Sequence, residues 1–269
     1  MKRVMLYFGS FNPVHKGHIA LAEYALERDL CAEVVLVVSP QSPYKQQEEL
    51  APELDRFEMA ELACKASHHP ERIKPSVVEF LLPKPSYTID TLRYLTENFG
   101  TEMRFSILMG ADQLAALDGW KEYERVLEYP VFVYPRRDAD TTRFRDRVTM
   151  LEEAPLQEFS ATDVRDRIGR GEDTTAMLAP DVAQYIRRKG LWSPAMRIAA
   201  LSARIDAAPD DTELYVERGK LRYRTGAWGE ALNDFNRALR IDPEHTEARE
   251  FARMVREILE FRYKDIYNP

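Results

Sequence analysis

The feature that most constrains the fold is an alternation of short apolar runs with helical patterns, repeated through about the first 190 residues. The runs are VMLYF (4–8), EVVLVV (33–38), RFSILM (104–109) and VFVY (131–134). They show little polar alternation, which is typical of strands in a sheet that is covered on both faces. Apolar residues recur at helical spacing between the runs, in segments 18–28, 52–66, 89–99 and 121–129. Strand followed by helix, several times over, predicts right-handed crossovers and a doubly wound parallel sheet.

The length and composition bound the class of protein. The chain has 269 residues, of which 45% are hydrophobic and 31% charged, which indicates a globular protein with one large and one smaller domain. The net charge of −7 disfavours a nucleic-acid partner. The longest apolar run, 34–38, is far shorter than the roughly 20 residues that a bilayer requires. We therefore expect a cytoplasmic protein without a membrane or nucleic-acid partner.

The pattern changes after residue 192, where strand-like runs give way to helical segments almost to the end. Pro209 and Pro243 stand 34 residues apart, each between two helical segments. Between them, residues fall at the small, aromatic and proline positions of a tetratricopeptide repeat: Gly219, Ala231, Phe235, Ala238 and Pro243. We therefore predict one domain over residues 1–192 and a small all-α, tetratricopeptide-like domain over 195–269.

Two arginines, Arg218 and Arg222, depart from this repeat pattern because they occupy positions that are more often apolar. Arrays of this kind usually need three or more repeats to be stable by themselves. The domain is therefore expected to be stabilised by contact with the first domain, with another subunit or with both. A structural or dimerising role is favoured over recruitment of a protein partner, because a single repeat offers little concave surface.

The turn GSFNPVHKGH (9–18) is the first candidate for function, because ligands bind beyond the carboxyl ends of the strands in such a sheet. Gly9 permits a sharp turn and a close ligand approach. His15 and His18 stand where a helix begins, and free amides with the helix dipole favour an anion there. The alternatives are a capping role, for which histidine is poor, and a zinc site, for which no further His or Cys cluster is present.

Two later turns carry similar signals. In MGADQL (109–114), Gly110 leaves room for a base or ribose, and Asp112 either accepts hydrogen bonds from a ligand or caps the next helix. In FSATDVR (159–165), Ser160 or Thr162 begins a helix whose amides can face phosphate, and Arg165 adds a permanent charge one turn later.

Together these motifs resemble one known family. The H-x-G-H of residues 15–18, PSYTIDTL (85–92), GWKEYE (119–124) and FSATDVR occur in the order found in bacterial nicotinate-nucleotide adenylyltransferases, of the nucleotidyltransferase superfamily. The resemblance covers about residues 1–192. It implies a Rossmann-like fold and transfer of AMP from ATP to nicotinate mononucleotide, giving nicotinate adenine dinucleotide and pyrophosphate in NAD biosynthesis.

The resemblance also implies roles for particular residues. His15, His18 and Arg165 would be catalytic, holding the phosphates of an ATP whose Mg²⁺ is carried mainly by those phosphates. The residues expected to bind the two nucleotides are Gly9, Ser10, Phe11, Asn12, Lys45, Tyr87, Thr88, Gly110, Asp112, Trp120, Arg136, Ser160 and Thr162.

On the acceptor side, Tyr87 and Trp120 could stack on the pyridine ring, although packing is the alternative for Tyr87. Thr88 could hold the ring carboxylate. Some positions depart from the family pattern or stay open. Tyr44 replaces a histidine beside Lys45, and Asn12 stands where many relatives have aspartate, which serves if that position only makes hydrogen bonds.

Arg136 and Arg137 follow the run VFVY and either reach an anionic ligand or are solvated surface charges.

Other functions stay open at this stage. The acceptor could be nicotinamide mononucleotide or phosphopantetheine, although Trp120 and the PSYT segment weigh against the latter. A nucleotide-binding scaffold whose helical tail recruits a partner is a further alternative, which the complete phosphate motifs disfavour. Walker A, G-x-G-x-x-G and G-x-S-x-G motifs do not occur in the sequence.

Overall fold

The computed structural model describes residues 1–40, 50–136, 140–156 and 159–264, with side chains up to Phe261. The chain forms two compact units that interleave along the sequence. The first consists of residues 1–164 and 174–185, and the second of 165–173 and 186–269. Residues 165–173 and 186–192, which the sequence groups with the first domain, therefore cluster with the helical unit.

The first unit contains a parallel six-stranded sheet in the order β3-β2-β1-β4-β5-β6, which confirms the doubly wound fold. The strands are β1 (Lys2–Gly9), β2 (Glu33–Val38), β3 (Ile73–Ser76), β4 (Met103–Gly110), β5 (Val131–Tyr134) and β6 (Thr149–Met150). Strand β1 is central, and its Leu6 lies between Val35 of β2 and Ile107 of β4. Connections leave β1 and β4 in opposite directions, so a ligand crevice is expected between their carboxyl ends.

Helices and loops connect these strands, and further helices follow the last strand. The helices are α1 (Lys16–Glu27), α2 (Glu53–Lys65), α3 (Thr88–Phe99), α4 (Ala111–Ala115), α5 (Tyr123–Val126), α6 (Ala161–Gly169), α7 (Pro180–Lys189), α8 (Pro194–Ala207), α9 (Thr212–Arg224), α10 (Trp228–Ile241) and α11 (Thr246–Lys264). In the described residues no helix is long and apolar enough to cross a membrane.

The sequence prediction differs from the structure at the edges of the sheet. The prediction missed β3 and β6, because an edge strand needs neither an apolar run nor a full set of backbone donors, and β3 contains Pro75. The helix predicted over 121–129 is wrong for most of its length. Only Tyr123–Val126 is helical, and Glu122 before it has a left-handed backbone with φ of 49°.

The second unit packs its helices around small and aromatic residues. A Cβ atom on Gly219 of α9 would lie 2.7 Å from the ring of Phe235 on α10, so only glycine allows this approach. Ala231 and Ala238 are fully buried beside Phe235, which stacks on Phe251 of α11 with ring centroids 5.3 Å apart. The repeat positions predicted from the sequence therefore form the contact surface between α9, α10 and α11.

The two arginines that depart from the repeat pattern share one buried carboxylate. Arg218 donates two hydrogen bonds to Asp234 at 3.0 and 2.7 Å, and Arg222 donates one at 2.7 Å. The side chain of Asp234 is 4% exposed, and those of Arg218 and Arg222 are 14% and 19% exposed. An ionic cluster thus replaces part of the apolar packing between α9 and α10.

Substituting Asp234 tests this cluster. D234A should lower the free energy of unfolding of the helical unit by about 3 kcal/mol, because two poorly hydrated guanidinium groups lose their counter-charge. Hydrogen exchange of the α9 and α10 amides measures the change, and E250Q on the exposed face of α11 is the matched control. Equal protection in D234A and E250Q would show that the cluster contributes nothing to stability.

Candidate functional site

A cavity of about 320 Å³ lies at the carboxyl ends of β1, β2 and β4, where the fold predicts a crevice. Its lining joins residues from the ends of these strands and the helices that follow them: Phe8, Gly9, Ser10, Ser39, Glu79, Ser86, Tyr87, Thr88, Asp112, Gln113, Ala116, Trp120 and Lys121. The residues among them that the sequence predicted for binding are Gly9, Ser10, Tyr87, Thr88, Asp112 and Trp120. The structure therefore brings segments from distant parts of the chain to one cavity.

One wall of the cavity is aromatic and carries a lysine. Tyr87 precedes α3 and Thr88 begins it. Trp120, in the loop after α4, also lines the cavity. The ammonium group of Lys121 lies 4.9 Å from the centre of the Tyr87 ring and is bound by both carboxylate oxygens of Asp90, at 3.0 and 2.8 Å. Both rings also pack against the core. The packing role considered for Tyr87 is therefore present together with its exposure to the cavity.

Gly110 ends β4, and its missing side chain is required there. A Cβ atom would lie 2.3 Å from Oδ1 of Asp112 and 3.2 Å from the ring of Tyr134. The Gly110 amide donates to Oε1 of Gln113 at 3.1 Å. This glycine therefore allows Asp112 to turn back over the end of the strand, at the cavity wall.

Arg136 follows β5 and lies near this aspartate. Its Nε is 3.9 Å from Oδ1 of Asp112, and its guanidinium lies 5.3 Å from the ring centre of Tyr134. This Nε is buried and makes no hydrogen bond of normal geometry among the described residues. Below it, the buried hydroxyls of Tyr7 and Tyr134 lie 3.1 Å apart. Arg136 is thus half-buried at the site, which favours a ligand role over that of a solvated surface charge.

The loop after β1 is held tightly. Phe11 has a left-handed backbone with φ of 44°, and its ring covers Gly9, where a Cβ atom would lie 3.1 Å away. Phe11 is 2% exposed as a whole residue, so its ring is part of the core and is not open to a nucleotide. Oδ1 of Asn12 accepts a hydrogen bond from the Ala51 amide at 2.9 Å. Asn12 therefore makes a structural hydrogen bond to the chain before α2, and its role toward a nucleotide stays a prediction.

His15 and His18 stack on each other at the start of α1, with ring centroids 3.7 Å apart and an interplanar angle of 28°. The His15 amide donates to Nδ1 of His18 at 3.1 Å. The capping role that the sequence disfavours is therefore real for His18, and α1 begins at Lys16, earlier than predicted. With Nδ1 as acceptor, a neutral His18 ring carries its proton on Nε2, where it can be donated to a phosphate oxygen.

His15 is 3% exposed, and its Nδ1 makes no hydrogen bond among the described residues. Burial, assisted by the positive charge of Arg136, lowers the pKa of His15 to about 4, while Asp163 opposes this shift. His15 is therefore a neutral imidazole at pH 7. The two histidines lie next to the Gly9–Asn12 loop, since the edge of the Phe11 ring meets the His18 ring with centroids 5.1 Å apart.

Several predicted residues near the cavity are not part of its lining, namely Phe11, Asn12, His15, His18, Gly110 and Arg136, and Ser160, Thr162 and Arg165 also lie outside it. Ser160 caps α6, and its amide and hydroxyl both donate to Oδ2 of Asp163, at 2.6 and 2.7 Å. Thr162 is exposed in the first turn of α6, and Arg165 lies one turn further, in the part of α6 that belongs to the second unit. Lys45, with Tyr44 and Arg137, lies outside the described residues.

Sequence reasoning missed a buried carboxyl in the cavity wall. Glu79 is 2% exposed, and burial raises its pKa, against the opposing effect of hydroxyls from Ser39, Thr91 and Ser86. The Thr91 hydroxyl donates to Oε1 at 3.0 Å. Glu79 lies in a single turn of 3₁₀ helix, Val78–Phe80, which is too short to show a sequence pattern, and only its place six residues before PSYT could have drawn attention to it.

Comparison with known proteins shows which families the two parts of the chain match. Residues 6–167 match the model of the cytidylyltransferase-like family, and residues 183–260 match a tetratricopeptide repeat model. Among solved structures, Plasmodium falciparum nicotinic acid mononucleotide adenylyltransferase complexed with NaAD has a TM-score of 0.62 at 17% identity, covering 71% of this chain and 98% of that one. This likeness shows the fold of the first unit.

Curated relatives are more similar in sequence. A probable nicotinate-nucleotide adenylyltransferase of Cytophaga hutchinsonii is 36% identical over 193 residues, which are 71% of this chain and 98% of the relative. One from Bacteroides thetaiotaomicron is 38% identical over 184 residues, 68% of this chain and 89% of the relative. The chain therefore belongs to the nicotinate-nucleotide adenylyltransferase family, with a tetratricopeptide repeat added in its C-terminal part.

Proposed function

We propose that this protein transfers AMP from ATP to nicotinate mononucleotide, forming nicotinate adenine dinucleotide and pyrophosphate. The observation that carries the proposal is the cavity at the carboxyl ends of β1 and β4. It has an aromatic wall, and the Gly9–Asn12 loop with its two neighbouring histidines lies beside it. Family membership supports the same reaction, because the curated relatives bear this activity in their names.

The chemistry needs positioning more than proton transfer. An oxygen of the acceptor phosphate would form a bond to the α-phosphorus of ATP while the bond to the bridging α,β oxygen breaks, and pyrophosphate leaves with that electron pair. The acceptor phosphate is already ionised at pH 7, so a general base is not required. Catalysis then consists of holding the two phosphates in line and stabilising charge on the leaving oxygens.

The histidines suit this task as neutral donors. His18 would donate from Nε2 to a phosphate oxygen, because the His15 amide binds its Nδ1. Among the residues that the structure describes, the buried Nδ1 of His15 has no hydrogen-bond partner, and a bound phosphate or water could satisfy it. Arg136 would contribute positive charge near them, and Arg165 stays a predicted partner of the leaving pyrophosphate. ATP would enter as its magnesium complex, in which the ion neutralises part of the phosphate charge.

The acceptor ring would lie against Trp120 and Tyr87. A pyridinium ring carries a positive charge that favours contact with aromatic faces. Thr88 begins α3, so its hydroxyl and the first amides of that helix are suited to a carboxylate. The ammonium group of Lys121 lies near the Tyr87 ring, but its charge is paired with Asp90. The Thr88 hydroxyl and the first amides of α3 are therefore the features that favour nicotinate over nicotinamide.

For the helical unit, we propose a structural or subunit-contacting role. Its exposed large apolar side chains include Met196, Met254 and Phe261, with exposures of 48%, 38% and 72%. They are scattered over α8 and α11, so recruitment of a peptide stays the less favoured alternative.

A side-by-side assay tests the proposed reaction. With ATP, the full-length protein should release pyrophosphate faster with nicotinate mononucleotide than with nicotinamide mononucleotide, because the Thr88 hydroxyl and the first amides of α3 favour the carboxylate. Initial rates over a range of acceptor concentrations give kcat/KM for each, with phosphopantetheine as a third acceptor. A higher kcat/KM for either alternative would overturn the assignment of the acceptor, and silence with every acceptor would favour a nucleotide-binding scaffold.

Replacing His18 tests the donor role. H18A should lower kcat by about 10²- to 10³-fold, the usual effect of losing one donor to developing charge. Its melting temperature should change little, since the lost hydrogen bond to the His15 amide contributes about 1 kcal/mol. H68A, which removes an exposed histidine paired with Glu23, is the control. A kcat for H18A near that of H68A would contradict the role.

The neutral state of His15 predicts a pH dependence of stability. The unfolded chain takes up a proton at this residue near pH 6.5, whereas the folded protein does so only near pH 4. The free energy of unfolding should therefore fall by about 3 kcal/mol, from this residue, as pH drops through that window. An NMR titration of the His15 ring measures the midpoint, which R136Q should raise and R104Q should leave unchanged. A midpoint above 6 in the unaltered protein would contradict the burial of a neutral ring.

A further inference from the structure

Arg56, in the first turn of α2, is a fully buried guanidinium at 0% exposure. Its hydrogen bonds go to backbone carbonyls, from Nε to Ala51 at 3.0 Å, from Nη1 to Ser10 at 2.7 Å and Ser39 at 2.6 Å, and from Nη2 to Pro40 at 2.9 Å. Within the described chain no carboxylate forms a hydrogen bond or ion pair with it, and Glu53 acts on it only through space. Burial lowers its pKa from the ordinary value.

Two of the four carbonyls that Arg56 binds belong to residues that line the cavity. Ser10 follows β1 and Ser39 follows β2, and both residues line the cavity wall. Pro40 and Ala51 lie on either side of segment 41–49, which is outside the described residues. One planar guanidinium thus fixes the chain just after two neighbouring strands, β1 and β2, at the Gly9–Asn12 loop.

This hydrogen bonding also sets the direction of the loop peptides. In a trans peptide the carbonyl and the N–H point in opposite directions. The Ser10 carbonyl points to Arg56, so the N–H of Phe11 points away from it. The left-handed backbone of Phe11 costs about 1 kcal/mol or more for a residue with a side chain, and persists because its surroundings hold it. Arg56 and Asn12 supply that restraint from the two ends of the loop.

The charge of Arg56 remains to be balanced. Carbonyl oxygens satisfy its N–H groups but add no net negative charge, and among the described residues Glu53 attracts it only through space. A buried ion without a close counter-charge is costly. A ligand with several negative charges in the neighbouring cavity would provide that balance. A buried cation is screened far less by salt than a surface lysine.

We propose that Arg56 is a positioning residue for the phosphates of the nucleotide: it holds the Ser10–Asn12 loop in its binding form, and a bound polyphosphate balances its charge. This inference rests on the proposed function. It assigns Arg56 no contact with the substrate, because the Ser10 peptide lies between the guanidinium and the cavity.

Two substitutions separate the shape of the guanidinium from its charge. R56M removes both and should weaken the binding of inorganic triphosphate by about tenfold or more, measured by calorimetry. R56K keeps the charge, so its triphosphate affinity should stay within about threefold, while its kcat falls by about tenfold because a single ammonium cannot hold four carbonyls. A purely structural role would lower stability in both variants. R56K and R56M would then not differ in how they change triphosphate affinity and kcat.

Arg72 offers a matched control. Its guanidinium also binds backbone carbonyls, those of Ala32 and Cys31 at 3.0 and 3.4 Å, but at the amino ends of β2 and β3. R72M should lose stability without a change in triphosphate affinity or kcat. If folded R56K and R56M match R72M in affinity and kcat, the proposal is wrong.

A measurement on the unaltered protein covers the case in which the variants do not fold. The ¹⁵N Nε–H signal of Arg56 should shift when inorganic triphosphate saturates the protein, and that of Arg72 should not. An unmoved Arg56 signal at saturation would overturn the proposal. Triphosphate titration needs no acceptor, so failure of the proposed reaction would be seen separately, as absent pyrophosphate release by the unaltered protein with ATP and nicotinate mononucleotide.

Discussion

The burial of β1 in the middle of the sheet is the constraint on which the rest of the first unit depends. Val4 to Phe8 are buried between β2 and β4, so polar chemistry has no place along the strand and must begin where it ends, at Gly9. Because the connections from β1 and β4 diverge at that edge, a crevice opens there. The histidines, the aromatic wall and the Arg56 carbonyl cluster all lie around this one point of the sheet.

The site is organised for negative ligands through shape and fixed charge more than through titrating groups. His15 is kept neutral by burial and by Arg136, and His18 has its tautomer set by a backbone amide. The positive charges come from Arg136 and the buried Arg56, whereas the charge of Lys121 is paired with Asp90. Such groups need not reorganise when substrate binds, which is the property that catalysis by positioning requires. Glu79 is the exception, a buried carboxyl in the cavity wall whose pKa is raised by burial.

The constraint on the helical unit is the small size of its apolar core. A single repeat has few apolar residues with which to hold its helices together. Gly219 and Phe235 provide a close contact, and Asp234 joins Arg218 and Arg222 in the same interface. A buried ionic cluster of this kind fixes which residues face each other, although it contributes less to stability than its Coulomb energy suggests. The arginines that depart from the repeat pattern are thus explained by a partner on the next helix.

The sequence by itself determined the central strands, the order of strands and helices, and the motifs that identify the family, because these depend on local periodicity and on residues close together in the chain. It also indicated six of the thirteen residues that line the cavity, which are Gly9, Ser10, Tyr87, Thr88, Asp112 and Trp120. The tertiary structure alone decided what depends on distant neighbours. Strands β3 and β6 exist only because β2 and β5 offer open edges, and the segment after Trp120 is mostly not helical despite its pattern. Arg56 and Glu79 look like ordinary charged residues until the fold removes them from water. Burial is a property of the assembled chain, so the groups whose chemistry depends on burial are the ones that local patterns cannot reveal.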